Sequence, residues 1–147
     1  MALLVRVAPM GLLQIWDHEL AGAMAEHDRR EEPQATHRLQ ISEVAFKALI
    51  LAIYHQSARE LDICSPRRLL TAVLKDKENR LSRLDDQQLD RLCNCDVVTG
   101  RLAINIRIDS SVNGLMRSFR DHAERRLGRP VSVAEAVYVC SYVASLD

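Results

Sequence analysis

A strict alternation in the last third of the chain constrains the fold more than any other feature. Residues 103–108 read Ala-Ile-Asn-Ile-Arg-Ile, so isoleucine occupies every second position. Period-two alternation of β-branched residues predicts a strand that is buried on one face. Apolar residues then follow at the helical spacings i, i+3, i+4, i+7, i+11 and i+15, at Val112, Leu115, Met116, Phe119, Ala123 and Leu127. The sequence therefore predicts a strand that leads directly into a long amphipathic helix.

A second, shorter helix is predicted immediately after the long one. Gly128 is suited to end the long helix, because glycine adopts the left-handed conformation at little cost. Ser132 and Glu135 have the spacing of a capping box, in which each side chain bonds the other residue's amide. The apolar stripe of this helix consists of Val133, Ala136, Val137, Cys140 and Ala144.

The same order of elements occurs earlier in the chain, as a diverged first copy. Leu39 and Ile41 align with Ile106 and Ile108 at an offset of 67 residues. The long helix aligns best at an offset of 66, which implies one extra residue after the first strand, and its frame is Phe46, Leu49, Ile50, Ile53, Ser57 and Leu61. Ser65 and Pro66 fit the N-cap and first position of the short helix, whose apolar face is Leu69, Leu70, Val73 and Leu74. Strand, long helix, turn and short helix are thus predicted twice.

These patterns divide the chain into four parts. Residues 1–35 form an N-terminal arm with a β-prone run at 2–7, an amphipathic helix at 12–24 and a charged linker at 27–35. Residues 36–78 contain the first motif and residues 101–147 the second. Between them, residues 79–100 are predicted to be a helical connector, with Asp85 as the cap of a short helix and a turn at Thr99-Gly100.

Composition limits the classes of protein that this chain can belong to. The 20 basic and 20 acidic residues cancel, so any binding to nucleic acid must depend on where charges are placed. The most apolar stretches are short or interrupted, as Arg6 and Pro9 interrupt the first sixteen residues, which argues against a membrane span and against a secretory signal. We therefore expect a cytoplasmic protein.

Catalytic and metal-binding patterns are not evident in the sequence. There is no Gly-x-Ser-x-Gly elbow, no phosphate-binding glycine loop and no His-Glu-x-x-His, so we expect neither an enzyme nor a cofactor nor a small-molecule substrate. Cys93 and Cys95 are separated by one residue, whereas structural zinc sites use pairs separated by two to four. We expect all four cysteines, including Cys64 and Cys140, to be reduced thiols without a metal.

The order of elements, with an alternating strand and a serine-capped second helix, resembles the ribbon-helix-helix family of bacterial DNA-binding proteins. The resemblance covers about residues 38–77 and about residues 102–146. Two motifs in one chain look like the tandem members of that family, some of which accompany plasmid-borne conjugation and T-DNA transfer systems. The resemblance implies a mainly α fold with a short antiparallel β-ribbon, arranged with pseudo-symmetry, that enters the major groove of double-stranded DNA.

The candidate site residues lie on the strands and at the starts of the short helices. If the isoleucines point inward, the opposite face of the ribbon carries Thr36, Arg38, Gln40, Asn105 and Arg107. Amide and guanidinium side chains can bond adenine and guanine bidentately, so we expect these five residues to contact bases. The resemblance implies phosphate contacts at Ser65, Arg67, Arg68, Arg129 and Ser132, where helix N-termini offer amides and arginines add charge.

Two departures from the family pattern affect the expected phosphate contacts. Pro66 removes one amide from the first helix start. Glu135 adds a negative charge near the second. We therefore expect binding that is modest or unequal between the two halves.

The sequence leaves two questions open. The two strands can pair within one chain or be exchanged between chains. Residues 44–54 are apolar nearly all round, which indicates burial on two sides, either by the predicted N-terminal helix with Trp16 or by another subunit, and favours a homodimer.

The function is predicted to be that of a transcriptional regulator or an accessory of plasmid DNA transfer. The alternative is a protein-interaction module that pairs its strand edge with a partner, which the zero net charge favours.

Overall fold

Across the part of the chain that the structure describes, the fold is mainly helical, with one short antiparallel sheet of two strands. The computed structural model describes residues 32–146, and the strand predicted at 2–7 and the helix predicted at 12–24 lie outside them. From Gln34 onward the chain forms one compact unit. The predicted fold class is confirmed at this level.

The predicted strands and helices of both copies are present. In chain order the elements are β1 (Gln34–Ile41), α1 (Glu43–Glu60), α2 (Pro66–Leu74), a 3₁₀ turn (Arg80–Arg83), α3 (Asp86–Leu92), α4 (Cys95–Val98), β2 (Leu102–Asp109), α5 (Ser110–Leu127) and α6 (Val133–Ala144). The charged linker was predicted to extend to residue 35. That boundary is wrong, because Gln34 and Ala35 already belong to β1 and pair with Asp109 and Ile108.

The two strands pair with each other within the chain and form a β-ribbon. The register places Arg38 directly opposite Asn105 and Thr36 opposite Arg107. One face of this ribbon is buried in the hydrophobic core through two residues of β1 and two of β2, namely Leu39, Ile41, Ile106 and Ile108. The alternation therefore predicted the buried face of both strands correctly, and the ribbon needs no second chain.

Each long helix ends at a residue in the left-handed conformation. The φ angle is 56° at Leu61, after α1, and 71° at Gly128, after α5. Gly128 confirms the predicted helix end, since glycine adopts this conformation without the steric cost that leucine incurs. Each short helix then begins after a serine N-cap, Ser65 or Ser132, as predicted.

The helical frame predicted for α1 is wrong by one residue. The buried residues of α1 are Ala45, Leu49, Ala52 and Gln56. They align at an offset of 67 with Val112, Met116, Phe119 and Ala123 of α5, three of which are fully buried. Helix α1 has large apolar residues on its outer side as well as on its buried side. Aligning the largest apolar residues of α1 with those of α5 therefore selected a set of positions rotated by one residue from the set that packs into the core. There is no extra residue after the first strand.

The connector begins as predicted and ends against β1. Asp85 caps α3 by accepting from the Gln88 amide at 2.7 Å, and Gln88 reciprocates. At the other end, the Ser42 amide donates to the Val98 carbonyl at 2.7 Å. Gly100 lies so close to this junction that a Cβ atom there would be 2.4 Å from Ser42 Cα. The chain can therefore enter β2 along this path only with glycine at position 100.

None of the helices within residues 32–146 combines the length and the apolar character needed to cross a membrane.

Candidate nucleic-acid interface

The outer face of the ribbon carries all five residues that were predicted to contact bases. Their side chains are exposed and lie on the face opposite the buried isoleucines, namely Thr36, Arg38, Gln40, Asn105 and Arg107. Cross-strand neighbours on this face form three successive pairs: Thr36 with Arg107, Arg38 with Asn105, and Gln40 with Ala103. The face therefore presents amide, hydroxyl and guanidinium groups at regular spacing, with only one apolar side chain, a small one, among them.

Charge on this face is of one sign. Residues 36–40 and 103–107 contain two arginines and no carboxylate. The nearest acidic residue on either strand, Asp109 at the end of β2, accepts a hydrogen bond from Arg67 at 2.6 Å. A chain with no net charge thus has a locally positive ribbon, which is the kind of placement that attracts a polyanion.

The start of α2 lies beside the ribbon. The Ser65 hydroxyl accepts from the Arg68 amide at 3.2 Å, which fixes the N-cap. A surface cleft of about 360 Å³ connects the helix start to the strands, and it is lined by Gln34, Ser65, Pro66, Arg67, Asn105, Ile106 and Arg107. The structure therefore brings a predicted phosphate site and two predicted base-contacting residues into one cleft, and none of the residues that line it is acidic. We call this cleft the α2 anchor.

The two arginines after Ser65 are held by ion pairs. Arg67 bonds Asp109, and its side chain remains 44% exposed. Arg68 bonds Asp62 at 2.9 Å and Glu60 at 2.5 Å. The hydrogen bond from Arg68, together with that from the Ile63 amide, holds the pKa of Asp62 below its usual range. Because a guanidinium has five N–H donors, Arg67 retains donors for a phosphate while it is positioned by its carboxylate partner.

The start of α6 has different surroundings, which we call the α6 anchor. The Ser132 amide donates to Glu135 at 2.8 Å, and the Val131 amide donates to Glu124 at 3.0 Å. Arg129 donates to Asp90 at 2.7 Å and to the Cys93 carbonyl at 2.7 Å. Two carboxylates of this chain therefore accept from the amides of Val131 and Ser132, immediately before α6.

The cleft at the α6 anchor is formed together with the connector and α5. This cleft, of about 610 Å³, is lined by Asp90, Cys93, Asn94, Cys95, Arg120, Glu124, Arg129, Pro130, Val131, Ser132 and Glu135, and none of these belongs to a strand. Three of them are acidic and two are arginines. Ser132 and Arg129 thus share their cleft with acidic residues, whereas the cleft that joins Ser65 and Arg67 to the ribbon contains none.

Sequence reasoning missed Gln34 and the carboxylates that pair with the arginines. Gln34 lines the α2 anchor and lies two residues before Thr36, on the same face of β1 as Thr36, Arg38 and Gln40. Extending the alternation by one step towards the N-terminus would therefore have identified it. Asp109 and Asp90 offered no such signal, because they are 42 and 39 residues from the arginines they bond.

The cysteines of the described residues are free thiols. Three are buried and Cys95 is exposed. Burial raises the pKa of Cys93 to about 11 and that of Cys140 to about 12, which makes both poor nucleophiles at neutral pH. Within residues 32–146, no group of three or more histidine, cysteine or acidic side chains is placed to hold a metal ion.

Comparison with protein-family models, with curated proteins and with solved structures found no match to this chain. The geometry of the ribbon and of the two anchors is therefore the basis for proposing a function.

Proposed function

We propose that this chain binds double-stranded DNA in a sequence-specific manner by inserting its β-ribbon into the major groove. The observation that carries the proposal is the outer face of the ribbon, which is exposed, free of carboxylates and lined by Arg38, Gln40, Asn105 and Arg107. A two-stranded ribbon fits the width of the major groove, and these side-chain types match the base edges displayed there. The protein would act without chemistry of its own, as a transcriptional regulator or as an accessory of plasmid DNA transfer.

A two-motif, pseudo-symmetric arrangement is part of the proposal. An offset of 67 residues relates α1 to α5, the helix end Leu61 to Gly128, and the cap Ser65 to Ser132. Arg38 and Asn105 are also 67 residues apart, and they lie directly opposite each other in the ribbon. A pseudo-twofold axis through this pair relates the two halves, and this supports the resemblance to the tandem ribbon-helix-helix proteins.

We propose that the α2 anchor supplies most of the phosphate contact. Its cleft opens beside Asn105 and Arg107, so a backbone phosphate bound by Arg67 would lie next to the bases that the ribbon reads. The α6 anchor contributes less, since Glu124 and Glu135 accept from its amides and repel a phosphate. DNA binding would therefore be unequal between the two halves.

Fluorescence anisotropy with duplexes selected from a random pool tests the proposal. The dissociation constant should rise steeply with salt, because bound phosphates release counterions. Arg107→Ala or Asn105→Ala should each reduce discrimination between the selected and a scrambled duplex by about 1 to 3 kcal/mol, because each removes a side chain that reads a base. Arg117→Ala, on the exposed face of α5, is the matched control and should leave discrimination unchanged.

Two outcomes would contradict the proposal. One is the absence of binding to any duplex at low salt, which would favour the alternative of a protein-interaction module that uses the open edges of the ribbon. The other is a loss of discrimination that is the same for Arg107→Ala and Arg117→Ala, because binding would then depend on charge and not on the ribbon face.

A further inference from the structure

The outer face of α1 is apolar and exposed. Five side chains along this helix and its C-cap are between 49% and 90% exposed, namely Val44, Ile50, Leu51, Tyr54 and Leu61. Scattered apolar residues on a surface need no explanation, but these share one side of a single helix. The opposite side of α1, with Ala45 and Leu49, packs into the core. Helix α1 therefore has a second apolar side that the described residues do not cover.

Helix α5 provides an internal control for this face. The positions 67 residues after the exposed apolar residues of α1 are Ser111, Arg117, Ser118, Asp121 and Gly128. The fold thus accommodates polar residues at equivalent exposed positions. The apolar face of α1 is not a requirement of the architecture, so we attribute it to an interaction.

The spacing of the face indicates that a helix packs on it. Val44, Leu51 and Ala58 are seven residues apart, and Lys47, Tyr54 and Leu61 repeat the same interval three residues later. These are the a and d positions of a heptad repeat, which let one helix pack along another. We call this set of six residues the α1 seam.

We propose that the α1 seam pairs with the same seam of a second copy of this chain, in an antiparallel arrangement about a twofold axis. In the register centred between residues 52 and 53, Leu51 lies opposite the Tyr54 position of the second copy and Val44 opposite its Leu61 position. Lys47 then lies opposite Ala58, the smallest side chain of the seam, which leaves room for the lysine stem to reach solvent. The seam is thus complementary to itself, as a twofold interface must be.

The size of the seam sets the strength of this association. A helix of 18 residues provides a contact about 27 Å long. One such contact is smaller than the roughly 800 Å² per partner of standard interfaces, so we expect a dissociation constant in the micromolar range. No residue of the seam belongs to the ribbon or to the anchors, so self-association does not depend on the proposed DNA binding.

Sedimentation velocity across a concentration series tests the pairing. The full chain should show a reversible monomer–dimer equilibrium. Leu51→Glu should raise the dissociation constant at least about tenfold, whereas Ser118→Glu, at the equivalent position of α5, should not change it. The double variant Leu51→Glu/Tyr54→Arg should recover part of the association, because each new carboxylate would then lie opposite a guanidinium of the other copy.

Three results would overturn the proposal. The first is a chain that remains monomeric up to about 1 mM, well above the expected micromolar range. The second is a dimer that Leu51→Glu and Ser118→Glu weaken equally, or that the double variant fails to restore. The third is a monomeric protein whose thermal midpoint is lowered by Leu51→Glu but not by Ser118→Glu. That result would mean that the α1 seam is covered by another part of the same chain. Far-UV circular dichroism of each variant verifies that it is folded.

Discussion

The α2 and α6 anchors use the same capping residue, but their carboxylates bond different groups. At α2, the carboxylates of Glu60, Asp62 and Asp109 bond the side chains of Arg67 and Arg68. At α6, Glu124 and Glu135 accept from the amides around Ser132. Because a helix N-terminus attracts any anion, the local carboxylates decide whether the amides serve the chain itself or remain available to a ligand. Similar cap geometry in the two halves therefore occurs with different neighbouring contacts.

We expect the largest single effect where the connector enters β2. Gly100→Ala should lower the free energy of unfolding by about 3 kcal/mol, because the new Cβ would overlap the backbone of Ser42. Gly114→Ala, in α5, has nothing within 4 Å and should instead stabilise the protein by about 0.5 to 1 kcal/mol. Urea unfolding measures both. Equal effects would show that the junction of the connector with β1 is not tightly packed.

A second comparison substitutes one arginine at each anchor. Arg67→Ala should raise the dissociation constant for DNA about tenfold. It should also reduce the salt slope, which is the slope of log K against log salt concentration, by about one, as expected when a single phosphate is no longer neutralised. Arg129→Ala should change affinity less than twofold, since its guanidinium bonds Asp90 and the Cys93 carbonyl. It should instead lower the thermal midpoint. Anisotropy titrations at several salt concentrations measure the slopes, and similar slopes for the two variants would remove the proposed inequality.

A largely buried ion pair lies in the segment that follows α2. After α2, Asp76 accepts a hydrogen bond from Arg80 at 2.7 Å, in a pair whose side chains are 15% and 17% exposed. This bond and two backbone amides hold the pKa of Asp76 below its usual value near 3.8. Because the folded-state pKa lies below the unfolded-state pKa, the ionised carboxylate stabilises the protein at pH values above the unfolded-state pKa. This stabilisation is lost as the pH falls through the folded-state pKa.

Asp76→Asn should therefore reduce the free energy of unfolding by about 1 kcal/mol at pH 7. The difference from the wild type should shrink as the pH falls from about 4, near the unfolded pKa, through the lower pKa of the folded protein, because the wild-type carboxyl becomes protonated over this range. Glu43→Gln breaks the exposed pair with Lys47 and should change stability little. Urea unfolding between pH 3 and pH 7 provides the measurement. A difference that stays constant with pH would rule out the ionised pair as its cause.

The smallest expected effect comes from a substitution that removes a negative charge from the α6 anchor. Glu135→Gln removes one charge while its amide oxygen still accepts from Ser132, so the capping box and the stability should persist. Affinity for DNA should increase about threefold at low salt and less at high salt. An affinity that is unchanged at low salt would mean that no phosphate approaches Ser132.

Local features of the fold were predictable from the sequence. The alternation identified both strands and their buried faces, and the caps Ser65, Asp85 and Ser132 were assigned correctly, because a cap depends only on its own few residues. The frame of α1 was not predictable in the same way. A helix that is apolar on two sides carries no local signal of which side packs inward, and small alanines took the core positions.

The charge environment of the site could be predicted only in part. The exposed ribbon residues and the arginines near each cap follow from spacing along the chain. The ion pairs that neutralise those arginines do not, because Arg67 and Asp109 become neighbours only when the ribbon packs on α2. Unequal binding was expected from Pro66 and Glu135, but the contacts of Glu124 and Asp90 around the start of α6 depend on the tertiary fold.

The pairing of β1 with β2 inside one chain has a consequence for evolution. In a ribbon assembled from two identical subunits, one codon change alters two side chains on the recognition surface at once. Here Arg38 and Asn105 face each other across the ribbon and are encoded separately. Each strand is therefore free to diverge alone, and a nucleotide sequence read by such a ribbon need not be an inverted repeat.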